Sequence, residues 1–101
     1  METMMITNLK QKVLPIANKY GLEAVYLFGS RARGENTETS DYDFFVKRGK
    51  LRGMFQLSGL FRDLCESLQS EIDIVLAPEE VGHLDDYIKE EIDRDKVLIY
   101  G

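Results

Sequence analysis

A chain of 101 residues has material for one domain with a single modest core, residues 1–101, and none for a separate substrate lobe. Its 13 basic and 18 acidic side chains leave a formal charge of −5, which argues against a nonspecific grip on nucleic acid and suits a positively charged partner better. No run approaches a membrane span and the start METMMITNLKQK lacks the apolar stretch of a signal peptide. The single cysteine, Cys65, allows no disulfide within the chain, so a reducing, cytoplasmic setting is expected.

From Ile6 the apolar residues Leu9, Val13, Ala17 and Tyr20 recur at helical spacing, with Gly21 as a stop. Pro15 interrupts this pattern, which predicts a kink or two short helices. Ala24-Val25-Tyr26-Leu27-Phe28 is a continuous apolar run with β-branched and aromatic members, the pattern of a buried strand. Glycines, polar residues and charges fill 29 to 40, an exposed loop with room for one helical turn after Ser30.

A second strand is expected from Tyr42 to Val46. Met54, Leu57, Leu60, Phe61, Leu64 and Leu68 then form one face of a helix, a pattern that also holds Cys65 and that Gly59 weakens slightly. Ile72, Ile74, Val75 and Leu76 mark a third strand, ended by Ala77-Pro78. A last helix fits Leu84, Tyr87, Ile88 and Ile92, and Val97 to Tyr100 closes the chain as a short strand. The alternation predicts an α/β or α+β layer, a small mixed sheet flanked by amphipathic helices.

The segment GSRARGENTETSDYD, residues 29 to 43, carries the chemistry. A Gly29-Ser30 turn follows an apolar strand, ten residues intervene, and Asp41 and Asp43 stand two apart at the head of the next run. Alternation along a strand puts both carboxylates on one face and Tyr42 on the other. Like charges at close range need a proton or a cation, and a hard divalent ion prefers oxygen ligands.

Asp73 interrupts an apolar strand, and a buried, unpaired carboxylate would be costly, so it needs a partner or an exposed edge. If the third strand pairs with the second, Asp73 joins Asp41 and Asp43 around a shared metal, or acts as a general base. Such a set suits nucleotidyl or phosphoryl transfer. Gly29 and Ser30 would cradle phosphate oxygens, with charge-assisted bonds available from Arg31 and Arg33.

Other polar groups fit plainer roles. His83 falls in an expected loop near Pro78 and Gly82, the pairs Glu79-Glu80 and Asp85-Asp86 suit a solvated helix surface or a dipole-compensating first turn, and Tyr42 and Phe44 suit the opposite face of the sheet. The cations Lys47, Arg48, Lys50 and Arg52 suit a solvated loop, with guidance of a triphosphate as the alternative.

The Phe28-Gly29-Ser30 entry, the Ala32-Arg33-Gly34 segment, the Ser40-Asp41-Tyr42-Asp43 strand start and a later Asp73 resemble the minimal nucleotidyltransferases of the DNA polymerase β superfamily. Short members of that family are typically antitoxins paired with a helical ribonuclease toxin of the HEPN class. The resemblance implies a polymerase-β-like nucleotidyltransferase fold, with ATP as substrate and Mg²⁺ as cofactor. It also implies transfer of AMP to a tyrosine hydroxyl of the toxin, which silences it. By the same resemblance Asp41, Asp43 and Asp73 hold the metals, Gly29 and Ser30 bind the triphosphate, and Arg33 supports the loop or touches phosphate. Two alternatives stand beside this one: an antitoxin that only binds and occludes its partner, and nucleotidyl transfer to a small molecule.

Overall fold

The first helix, α1 (Met4–Tyr20), runs through Pro15 without division, so of the two expected outcomes there the pair of short helices does not occur. Pro15 lies on the exposed side, where water can satisfy the carbonyl that loses its partner. The buried stripe Ile6, Leu9, Val13, Ala17 continues on the other side and holds the helix together. Described in this computed structural model are residues 4–35, 40–77 and 86–101.

Four strands follow in a mixed sheet: β1 (Ala24–Phe28), β2 (Tyr42–Lys47), β3 (Ile72–Leu76) and β4 (Val97–Tyr100), in the spatial order β3-β2-β1-β4. β1 pairs antiparallel with both β2 and β4, while β2 and β3 are parallel. A parallel pair cannot be joined by a tight turn, and α3 (Gly53–Leu68) supplies the crossover. A single turn, α2 (Ser30–Arg33), follows β1, and α4 (Asp86–Asp95) precedes β4. The expected start of the last helix at Leu84 lies outside the described residues, as do His83, Glu79, Glu80 and Asp85. Among the described residues no helix is long and apolar enough to cross a membrane.

One face of the sheet carries the core. Val25, Leu27, Phe44, Val46, Ile72 and Ile99 pack with the α1 stripe and with Leu60 and Leu64 of α3. Cys65 is half-buried against this cluster. Met54 and Phe61, expected on the buried face of α3, are 73% and 44% exposed, because they flank the narrower stripe that meets α1 and the sheet. Gly59 has a packing reason: a Cβ there would stand 2.5 Å from the Tyr20 hydroxyl. That hydroxyl donates to Asp63 Oδ2 at 2.8 Å, the same oxygen that Lys19 Nζ reaches at 2.8 Å, and the pair ties the end of α1 to α3. Phe28 and Ile92 are buried outside the main cluster, where α4 packs on β1.

Candidate functional site

Strand register brings the distant acids together. Phe28 of β1 is opposite Asp43 of β2, and Asp43 is in turn the partner of Asp73 in β3. Partners in an in-register parallel pair project from the same face, so the two carboxylates are neighbours although thirty positions separate them in the chain. Asp41 lies just before β2, exposed, and close enough to act electrostatically on Asp43. Tyr42 and Phe44 point the other way, stacked with ring centroids 6.0 Å apart, and Phe44 is fully buried in the core.

Of the two alternatives that its sequence context left open for Asp73, a partner or an exposed edge, the fold supplies the exposed edge. The residue is exposed, since β3 is an edge strand and its outer face is open at that position. The half-buried carboxylate is Asp43. Burial is the main cause that pushes its pKa up to about 6, followed by the charges of Asp73, Glu91 and Asp41 and a hydrogen bond with Asp73. A half-buried carboxyl ringed by three acids is relieved by a proton or by a hard cation, and oxygen donors are the ligands such a cation prefers. The donor chemistry therefore fits a divalent ion such as Mg²⁺. Among the described residues, however, no three of these acids are already drawn into a closed cation cage.

Gly29 faces Asp43 directly. Its φ of 79° and ψ of −157° belong to a region that glycine alone adopts readily, and a Cβ on it would collide with Asp43 Oδ2. The residue thus permits both the turn from β1 into α2 and the close approach of the carboxylate to the backbone. Ser30 opens α2, and Gly34, with φ 76°, closes it in the left-handed conformation.

The two arginines of the loop are engaged within the protein. Arg31 is buried, donates from Nε and a terminal nitrogen to the Ser40 carbonyl at 3.0 and 2.6 Å, and lies 4.0 Å above the Tyr42 ring. It ties the two ends of the loop together, so the charge-assisted phosphate bond suggested for it from sequence is replaced by a structural one. Arg33 bonds Glu35 at 2.7 Å, Asp95 at 2.5 Å and Glu91 at 3.4 Å. It fastens α2 to α4. Asp95 is nearly buried at its side chain, and Arg94 and then Arg33 hold its carboxyl below the usual range.

These elements wall an open cleft of about 380 Å³ lined by Asp43, Asp73 and Glu91 together with Phe28, Val75 and Ile88. β3 and α4 each bring an acidic and an apolar residue to it, Asp73 with Val75 and Glu91 with Ile88, a combination that can take a cation-bound phosphate beside a flat ring. Glu91 was not singled out from sequence. Only its place in an acidic helix, DYIKEEID, hinted at it, and nothing in the spacing tied that helix to Asp43. Lys47, Arg48, Lys50 and Arg52 belong to the other end of the sheet, since Lys47 pairs with Ala24 while Asp43 pairs with Phe28.

The family described as polymerase beta, nucleotidyltransferase, matches residues 11–101. The candidate protein adenylyltransferase MJ0435 of Methanocaldococcus jannaschii is 39% identical over 72 residues, which cover 71% of this chain and 77% of that protein. Among solved structures, a minimal nucleotidyltransferase superposes with a TM-score of 0.74 at 28% identity, over 96% of this chain and 95% of the other. A chain of the complex between tri-AMPylated Shewanella oneidensis HEPN toxin and MNT antitoxin shares the fold, with a TM-score of 0.68 at 18% identity, over 96% and 73%. With a match that spans most of its length and a glycine turn set against paired aspartates, this chain belongs to the polymerase β nucleotidyltransferase family and is a nucleotidyltransferase.

Proposed function

We propose that the chain, acting as one domain over residues 1–101, is a cytoplasmic antitoxin that transfers AMP from ATP to a tyrosine hydroxyl of a HEPN-type ribonuclease toxin. The observation that carries this reading is the in-register pair Asp43–Asp73, set against Gly29 at the mouth of an open cleft. The adenylyltransferase assigned to the M. jannaschii relative and the AMPylated toxin bound to an MNT antitoxin support the donor and the acceptor. The single free cysteine, Cys65, is in keeping with a reducing compartment.

Asp41, Asp43 and Asp73 would hold Mg²⁺, which when bound neutralises triphosphate charge and the pyrophosphate that leaves. The chain's own residues do the rest. Gly29 keeps the backbone low enough for phosphate oxygens to approach, and the Ser30 hydroxyl adds a donor there. The apolar lining residues Phe28, Val75 and Ile88 receive the adenine side of the nucleotide and exclude water.

Asp73, exposed at the edge of the sheet, is open to an acceptor arriving from a partner and takes the proton of its hydroxyl. The tyrosine oxygen bonds to the α-phosphorus as the bond to the bridging oxygen of pyrophosphate breaks. Arg33, held by three carboxylates, keeps α4 and Glu91 in place beside this cleft and remains near enough to the turn for a phosphate contact to be tested.

Labelled ATP with Mg²⁺ and the purified toxin should label the toxin, and the double variant Asp41→Asn, Asp43→Asn should abolish it. Persistent labelling by that variant would overturn the chemistry. Full protection from the toxin by the same inactive variant would instead make the chain an antitoxin that acts by occlusion.

A further inference from the structure

The end of the sheet remote from the cleft carries a surface that the transfer reaction does not use. Between Phe44 and Arg62 the sequence has four basic side chains and no acidic one, in a chain whose overall charge is −5. Among the described residues Lys47, Arg48, Lys50 and Arg52 have no carboxylate within ion-pair distance. Arg52 is nevertheless fixed in place, because one terminal nitrogen donates to the carbonyls of Gly49 and Leu51 at 2.9 and 2.8 Å. Beside these cations the start of α3 exposes Phe55 at 95% and Met54 at 73%. A small notch of about 130 Å³ lies between them and the sheet, lined by Arg48, Leu51, Met54, Leu57 and Leu76.

We infer that this surface docks an acidic protein segment that carries an apolar anchor residue. Unpaired cations around an apolar notch favour a partner that brings negative charge at the rim and one hydrophobic side chain at the centre. A nucleic acid would meet the same cations, but the rest of the chain is strongly acidic and would repel a long polyanion, while Met54, Leu57 and Leu76 offer it nothing to pair with. Lys47 is four residues along β2 from Asp43, roughly 13 Å at the rise of a strand, so a segment seated here leaves the cleft open. The inference extends the function proposed above by naming where a partner is held, yet its geometry is independent of any transfer step.

The test uses a fluorescent synthetic peptide in which glutamates flank a Leu-Phe pair, with fluorescence anisotropy as the readout on the intact chain in the absence of nucleotide. The peptide should bind and should weaken as salt is added. The double variant Arg48→Glu, Arg52→Glu should weaken it roughly tenfold or more. Phe55→Ser, at a position too exposed to affect folding, should weaken it several-fold. Equal binding of a peptide with glutamine in place of glutamate, unchanged binding by Phe55→Ser, or stronger binding of a short RNA would each overturn the inference. Toxin labelling by the same preparations is read separately, so a failed docking surface leaves the catalytic reading standing, and a failed transfer leaves the docking result intact.

Discussion

The two ends of strand β2 differ more than their spacing along the chain suggests. At the Asp43 end, three acids surround a half-buried carboxyl, a glycine is pressed against it, and Arg33 is saturated by acidic partners. At the Lys47 end, cations stand without a carboxylate partner among the described residues, beside exposed apolar side chains. The first end concentrates negative charge that a proton or a bound cation relieves, and the second spreads positive charge where a partner can reach it. A small sheet thus separates a chemical site from a binding surface by the length of one strand.

Substitutions at the acidic end should have the largest effects. Asp43→Asn should lower nucleotidyl transfer by roughly a hundredfold or more, read as toxin labelling, because it removes the central carboxylate of the cleft. Gly29→Ala should come close to it: the new Cβ meets Asp43 Oδ2 and the backbone is held at a φ that alanine resists, a strain of about 1–3 kcal/mol. Unfolding in urea and labelling should both decline, and a fully active, equally stable Gly29→Ala would remove the argument for this close approach.

Arg33→Gln and Asp95→Asn sharpen the comparison further. If Arg33 works by holding α4, each should reduce kcat by a few-fold with little change in KM for ATP, and the double variant should be no worse than the poorer single one. A rise in KM for Arg33→Gln alone would identify a phosphate contact instead.

The raised pKa of Asp43 predicts a pH effect of definite sign. In the unfolded chain this carboxyl ionises near its ordinary value of 3.8, and in the fold at about 6, so its contribution to stability is full below 3.8 and is lost as pH rises through 6. In metal-free buffer the urea midpoint of the native chain, measured relative to Asp43→Asn, should therefore fall between these values. Mg²⁺ added at neutral pH should restore part of the loss in the native chain and none in the variant. At the basic end the expected effect on chemistry is the smallest: Arg48→Glu should leave AMP transfer to a small acceptor hydroxyl unchanged, and a loss there would break the separation of the two ends.

Much of this architecture was legible before any coordinates. β1, β3 and β4 occupy the segments expected from their apolar runs, because short β-branched stretches bounded by turns leave few other choices. The helical turn after Ser30 and the alternation of Asp43 with Tyr42 and Phe44 also followed from local rules. A division of the helix at Pro15 did not occur, since burial of one helical face outweighed a local break, and the buried face expected at Met54 and Phe61 failed because the width of the buried stripe depends on what α3 packs against.

The site was legible only in its composition. Gly29, Asp41, Asp43 and Asp73 could be named from residue type and spacing, yet which carboxylate is buried could not, since that depends on β3 being an edge strand. Arg33 finds Glu91 and Asp95 at separations of 58 and 62 residues, and Arg31 is committed to a carbonyl across the loop.

The sequence by itself determined the order of helices and strands, the glycine turn and the carboxylates on which the proposed site draws, because these rest on periodicity and side-chain chemistry. Tertiary structure alone decided that Asp43 bears the strain of burial, that Glu91 joins it and that the cations of residues 47–52 lie at the opposite end. The reason is physical: electrostatic environment is set by strand order and packing between distant segments, which no local pattern encodes.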